Sequence, residues 1–204
     1  MNIKICGLNP ARDVQLCINL GVNFLGFVFY EKSPRNIKFN EIEKLKTYNK
    51  FNSKYVAVTV DPSDRFIENV VSGNFDYIQL HGSETKERVK ELKSTGLKII
   101  KAIKIIKESD INEYKKYNDA DIILFDTPGM EKSIDFPMNL ISKLPKGDRY
   151  ALAGSISINN IENIANLGVN FFDLSSNLES DNEIGIKDHL KIKKFIKKVN
   201  ELKN

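Results

Sequence analysis

Two residues far apart in the chain carry the chemistry most open to reading. Cys6 ends the strand-like run IKIC and stands just before Gly7. Asp126 ends the run DIILFD and stands just before Thr127 and Pro128. Side chains alternate along a strand, so Ile3 and Ile5 share one face while Lys4 and Cys6 share the other. By the same count Ile122, Leu124 and Asp126 share a face. If the isoleucines pack outward, a thiol and a carboxyl point into one interior. That pair suits proton transfer. A thiol has an unperturbed pKa of about 8.5, so a cation such as Lys4 nearby is expected to raise its thiolate fraction. A carboxyl against apolar walls is expected to titrate high and to serve as an acid. Against this, Cys6 also reads as a small buried hydrophobe, and Asp126 before Thr127-Pro128 also reads as the start of a turn. Cys17, among apolar residues of a helical pattern, reads as core filler.

Other polar residues stand at comparable positions. His81 closes the run YIQLH and reads equally as structural or catalytic. Arg35 follows Ser33-Pro34; its guanidinium could grip a carboxylate through two hydrogen bonds, or lie on the surface. Gly154 and Ser175-Ser176 close two late strand-like runs, where loop N–H groups commonly bind phosphate and where ordinary turn chemistry is the other reading. His189 reads as a surface residue.

The elements that must position these groups repeat along the chain. Strand candidates are IKIC, FLGFVFY, YVAVTVD, YIQLH, KIIKAIKI, DIILFD, YALAG and FFDLSS. Between them lie amphipathic segments such as ARDVQLCINLG, NEIEKLKTY, SDRFIENVVSG, ETKERVKELKSTG and SINNIENIANLG. Gly21, Gly73, Gly96 and Gly168 read as helix ends, and Ser157 as a helix N-cap. Regular strand–helix alternation implies a parallel sheet. Eight units predict an α/β fold closed as a single (β/α)8 TIM barrel over residues 1–204. No glycine fingerprint of an open dinucleotide-binding sheet follows the first strand. In a barrel the active site lies at the C-terminal strand ends, where Cys6, Tyr30, Asp61, His81, Asp126, Gly154 and Ser175 gather.

Bulk composition narrows the classes. The chain has 204 residues, 41% hydrophobic, with a formal charge of +4. Two cysteines and two histidines exclude a disulfide framework and fit no zinc pattern, so no metal is expected. The lysine-rich end KIKKFIKKVNELKN places Ile192, Phe195, Ile196, Val199 and Leu202 at helical spacing, so it reads as an outer helix with a solvated face rather than a nucleic-acid arm. No apolar run reaches the roughly 18 residues of a membrane span, and no secretory signal is visible; a cytoplasmic location is expected.

Nine segments, in order, resemble the phosphoribosylanthranilate isomerase family of tryptophan biosynthesis: KICGLNPARDV, LGFVFYEKSPRNI, VAVTVDPS, YIQLHGSET, IIKAI, ILFDT, LAGSIS, DLSSNLE and GIKDHLKIKKFI. The resemblance implies a cofactor-free (β/α)8 barrel acting on a small phosphosugar, as monomer or homodimer. It implies an Amadori rearrangement of N-(5-phosphoribosyl)anthranilate to 1-(2-carboxyphenylamino)-1-deoxyribulose 5-phosphate. Cys6 would be the general base and Asp126 the general acid. Arg35 would hold the anthranilate carboxylate, while His81 and Asp173 would contact substrate. Gly154, Ser155, Ser176 and Asn177 would cradle the phosphate. Three departures stand out. Ser155 replaces a family glycine, as does Asn177, and the loop PGMEKSIDF keeps little beyond Gly129. A related sugar-phosphate enzyme with a shifted substrate and a non-catalytic phosphate-binding barrel therefore stay open as alternatives.

Overall fold

The computed structural model describes residues 1–127 and 138–202. Eight parallel strands close into a ring in chain order. They are β1 (Asn2–Cys6), β2 (Phe24–Phe29), β3 (Lys54–Thr59), β4 (Tyr77–Leu80), β5 (Lys98–Lys104), β6 (Ile122–Asp126), β7 (Tyr150–Ala153) and β8 (Phe171–Leu174). Around them lie α1 (Val14–Asn19), α2 (Asp64–Ser72), α3 (Lys86–Lys93), α4 (Met138–Ile141), α5 (Ile161–Asn166) and α6 (His189–Glu201). The altered segment PGMEKSIDF falls within 128–137, outside the described residues.

Each strand buries both faces, as a parallel barrel requires. The outward face of residues such as Ile3, Ile5, Leu25, Ile78 and Ile123 packs under the helices. The inward face stacks in layers contributed by alternate strands. The pairing register places Phe24, Tyr77, Ile122 and Phe171 lowest, at the N-terminal strand ends. Lys4, Val56, Ile100 and Ala151 come next, followed by Gly26, Gln79, Leu124 and Asp173. Cys6, Val58, Ala102 and Ala153 form the fourth layer. The bottom layer is sealed by rings: Phe24 stacks on Phe171 at 4.9 Å and meets Tyr77 edge-on at 5.3 Å.

Local sequence caps the N-termini of three helices. Ser63 accepts from the Phe66 N–H at α2, Thr85 from the Arg88 N–H at α3, and Asp188 from the Leu190 and Lys191 N–H groups at α6. In α6 the apolar stripe Ile192, Phe195, Ile196 and Val199 is buried and the lysines face outward, as the spacing predicts. Four details differ from the sequence reading. Ser157 does not cap α5; the helix starts later, at Ile161 behind Asn160, and Ile158 is exposed because it falls in the preceding turn. Gly73 ends α2 as read, but unlike Gly21, Gly96 and Gly168 it does not have positive φ; Asn74 takes the left-handed conformation instead. The segments after β2 and β5 wind as 3₁₀ helices over Phe39–Thr47 and Glu108–Lys116. In the first, the buried Ile42 and Leu45 are three residues apart, the spacing that a 3₁₀ turn brings into line. Finally, His189 is not a bare surface residue: its Nε2 lies 3.0 Å from Oδ1 of the buried Asp13. Cys17 is buried core, with its thiol pushed up to about 12 by burial.

Candidate active site

The mouth of the barrel encloses a cavity of about 400 Å³, within the usual range for small-molecule sites. Cys6, Arg35, His81, Asp126, Gly154, Ser155, Asp173, Ser176 and Asn177 all line it. β1 and β6, which carry Cys6 and Asp126, stand three strands apart around the ring.

Beneath Cys6 lies a buried ion pair. Lys4 Nζ reaches Asp173 Oδ2 at 2.7 Å, with both side chains almost wholly shielded from solvent. Burial pulls Lys4 down, but Asp173 and then Cys6 outweigh it and hold the ammonium above its ordinary range. Burial pushes the Asp173 carboxyl up, with Lys4 opposing. Asp173 Oδ1 and Gln79 Oε1 are buried with no hydrogen-bond partner among the described residues. For Cys6 the sequence expectation is reversed. Burial pushes the thiol up; Lys4 pulls it down, and Asp173 works against Lys4. Cys6 is therefore held toward its thiol form.

Asp126 is not walled in by apolar groups. Its side chain is about a quarter exposed, and Oδ2 lies 3.0 Å from His81 Nε2. His81 Nδ1 in turn lies 3.4 Å from Gln79 Nε2.

Arg35 is in the mouth but already engaged. Its Nε and Nη2 grip Glu179 at 2.5 and 2.9 Å, while Nη1 has no partner among the described residues. Glu179 also accepts from Lys187 Nζ at 2.9 Å and from the Gly185 N–H at 3.0 Å. Burial opposes ionisation of Glu179, yet Arg35 and Lys187 bring its carboxyl down to about 2. Lys187, itself buried, also reaches the Ser175 carbonyl at 3.1 Å, and Ser175 Oγ donates to the Cys6 carbonyl at 3.2 Å. The network thus ties the ends of β1, β2 and β8 together.

On the β7–β8 side, Gly154 and Ser155 both have positive φ, +94° and +43°. A Cβ on Gly154 would collide with the carbonyl and Oγ1 of Thr127, so only glycine fits. Ser155 thus carries a side chain in a backbone conformation that favours glycine. Asn177 is different: its backbone does not take the left-handed conformation expected of a glycine replacement. It sits in a 3₁₀ turn over Ser176–Leu178, and Nδ2 donates to the Ile156 carbonyl at 2.7 Å, pinning the two loops together. The Ser155 and Ser176 N–H groups have no acceptor among the described residues.

Sequence reasoning missed Gln79, Glu179 and Lys187. Gln79 carried a signal, being polar and two residues from His81 on an inward face. Glu179 and Lys187 carried none, since their partners lie across the fold.

Residues 3–198 match the protein family described as N-(5'phosphoribosyl)anthranilate (PRA) isomerase. The chain belongs to that family. An N-(5'-phosphoribosyl)anthranilate isomerase of Sinorhizobium medicae is 36% identical over 198 residues, covering 91% of each chain. One of Staphylococcus haemolyticus is 31% identical and covers 98% of each. Among solved structures, phosphoribosyl anthranilate isomerase from Thermus thermophilus superposes with a TM-score of 0.86 at 25% identity, covering 99% of this chain and 100% of the other. A phosphoribosyl anthranilate isomerase in complex with reduced 1-(o-carboxyphenylamino)-1-deoxyribulose 5-phosphate superposes with a TM-score of 0.83 at 26% identity, covering 98% and 99%. Among the described residues of this isomerase, no helix is long and apolar enough to cross a membrane.

Proposed function

We propose that this isomerase of tryptophan biosynthesis uses Cys6 as general base and Asp126 as general acid. It converts N-(5'-phosphoribosyl)anthranilate to 1-(2-carboxyphenylamino)-1-deoxyribulose 5-phosphate by an Amadori rearrangement. Asp126 protonates the ring oxygen of the sugar and the ring opens to a Schiff base. His81, bonded to the same carboxylate, holds it in line. Cys6, as thiolate, removes the C2 proton and leaves an enolamine, which tautomerises to the ketone. Each proton-transfer group contributes about 10²–10⁴-fold. The free Nη1 edge of Arg35 binds the anthranilate carboxylate. Asp173 Oδ1 accepts from a sugar hydroxyl. The Ser155 and Ser176 N–H groups, with Gly154 and Asn177, receive the phosphate. Residues 1–204 act as one catalytic domain, a reading supported by the pairing of β1 with β8.

The observation that carries this reading is that Cys6 and Asp126 open into one cavity from separate strands. The test is conversion of freshly made phosphoribosylanthranilate, followed as loss of anthranilate-type fluorescence. The chain contains no tryptophan, so the protein adds little to that signal. Cys6→Ser and Asp126→Asn are each expected to lower kcat by about 10²–10⁴-fold without lowering the melting temperature. Full activity in either variant would remove that residue from its role.

A further inference from the structure

The third layer of the barrel is one side chain short. Gln79, Leu124 and Asp173 fill their places, but Gly26 contributes none. The space goes to the residue below. A Cβ at position 26 would stand 3.2 Å from Lys4 Nζ and 3.2 Å from Cys6 Sγ, so those two atoms lie no farther apart than twice that distance. Lys4 Nζ thus meets Asp173 Oδ2 at 2.7 Å and shares the space above Gly26 with the Cys6 sulfur. Asp173 is almost fully buried, lines the cavity, and has an Oδ1 with no partner among the described residues. A buried acceptor left open at a ligand cavity awaits a donor.

We propose that Lys4 is the positioning residue of the Cys6 base, shared between the thiol and Asp173, and that a donor on the bound phosphosugar, taken up by Asp173 Oδ1, frees Lys4 charge for the sulfur. The proposal rests on Cys6 being the base. The proton balance is simple. The thiol proton leaves to solvent through the open cavity, Lys4 remains an ammonium, and the thiolate then accepts the C2 proton. Among the described residues, the other charged or titratable groups around Cys6 are Asp173 from β8, Lys187 from the segment before α6, Tyr30 and Arg35 after β2, and His81 and Asp126 across the cavity. Among these, Lys4 is the cation whose separation from the sulfur Gly26 controls.

The test is the pH profile of Cys6 alkylation by iodoacetamide, read by mass spectrometry of the Cys6 peptide. Cys17, buried, stays silent. Lys4→Met and Gly26→Ala are compared with the natural chain, each checked for a cooperative melt. Gly26→Ala keeps both charges and crowds them, its Cβ meeting Lys4 Nζ and Cys6 Sγ at 3.2 Å and the Cys6 Cα at 3.1 Å. Both variants are expected to raise the alkylation midpoint by about one unit, cutting alkylation near neutrality about tenfold. In the natural enzyme the base limb of kcat, which reports bound enzyme, is expected at lower pH than that of kcat/KM, which reports free enzyme. In Lys4→Met the two limbs are expected to coincide.

A folded Lys4→Met whose alkylation profile overlays the natural one overturns the proposal. If Lys4→Met does not fold, an unshifted Gly26→Ala overturns it. Coincident limbs in the natural enzyme overturn the substrate-linked part. Alkylation needs no turnover, so loss of the base assignment, seen as an active Cys6→Ser, is distinguishable from failure here.

Discussion

Glu179→Gln probes the rim of the cavity. The Glu179 side chain is only 5% exposed, and it accepts from Arg35, Lys187 and the Gly185 N–H. These partners hold its carboxyl at about 2 against an ordinary value of 4.5. At about 1.4 kcal/mol per unit, that shift corresponds to about 3 kcal/mol of stabilisation. An amide keeps the shape but strands the buried Lys187 without a counter-ion, a change that typically costs about 3–5 kcal/mol. Urea unfolding at neutral pH is therefore expected to show a loss of about 3 kcal/mol. Because the folded-state pKa is depressed, this stabilisation is complete above 4.5 and is lost as pH falls through about 2. The gap between natural chain and variant should narrow over that interval. Arg35 also loses the partner that fixes its fork, so KM should rise more than kcat falls. A variant within about 0.5 kcal/mol of the natural chain, or a gap that stays constant in acid, would refute the reasoning, since ordinary surface changes fall in that range.

Three further perturbations follow from the same geometry. Ser155→Gly removes a side chain from a residue at φ +43° and is expected to stabilise by about 1 kcal/mol, read as a melting-temperature rise of about 2–4 °C. Asn177→Ala deletes the 2.7 Å bond to the Ile156 carbonyl; it should cost about 1 kcal/mol in urea unfolding and raise KM for the phosphosugar while kcat stays near the natural value. Lys101→Met leaves the buried Glu84 without the ammonium it meets at 2.8 Å, and is expected to cost about 3–5 kcal/mol in the same assay.

The inward direction of Lys4, Cys6, Leu124, Asp126 and Asp173 was readable before any coordinates, because a parallel barrel with helices outside leaves each strand residue one of two directions. The α6 stripe was readable for a similar reason, since one face carries all the apolar residues. What escaped depends on contacts distant in sequence. Arg35 and Glu179 are 144 residues apart, so nothing near Arg35 announces that two of its donors are taken. The Cys6 shift is set first by burial, with Asp173 of β8 adding to it and Lys4 of β1 opposing it, and the burial depends on the whole fold. Asn177 was read by analogy with the glycine it replaces, whereas its side chain, not its backbone freedom, is what the loop uses. The helix assigned to NEIEKLKTY became a 3₁₀ segment because its two buried residues are three apart, a distinction that a short apolar pattern does not resolve.

The ring-sealed floor of Phe24, Tyr77 and Phe171 makes the barrel a cup rather than a tunnel. Whatever reaches Cys6 arrives from above and must depart the same way. Reactant and rearranged sugar therefore cannot queue through opposite doors, and each excludes the other while seated. Accumulating product should act as a purely competitive inhibitor, with no mixed component at any concentration.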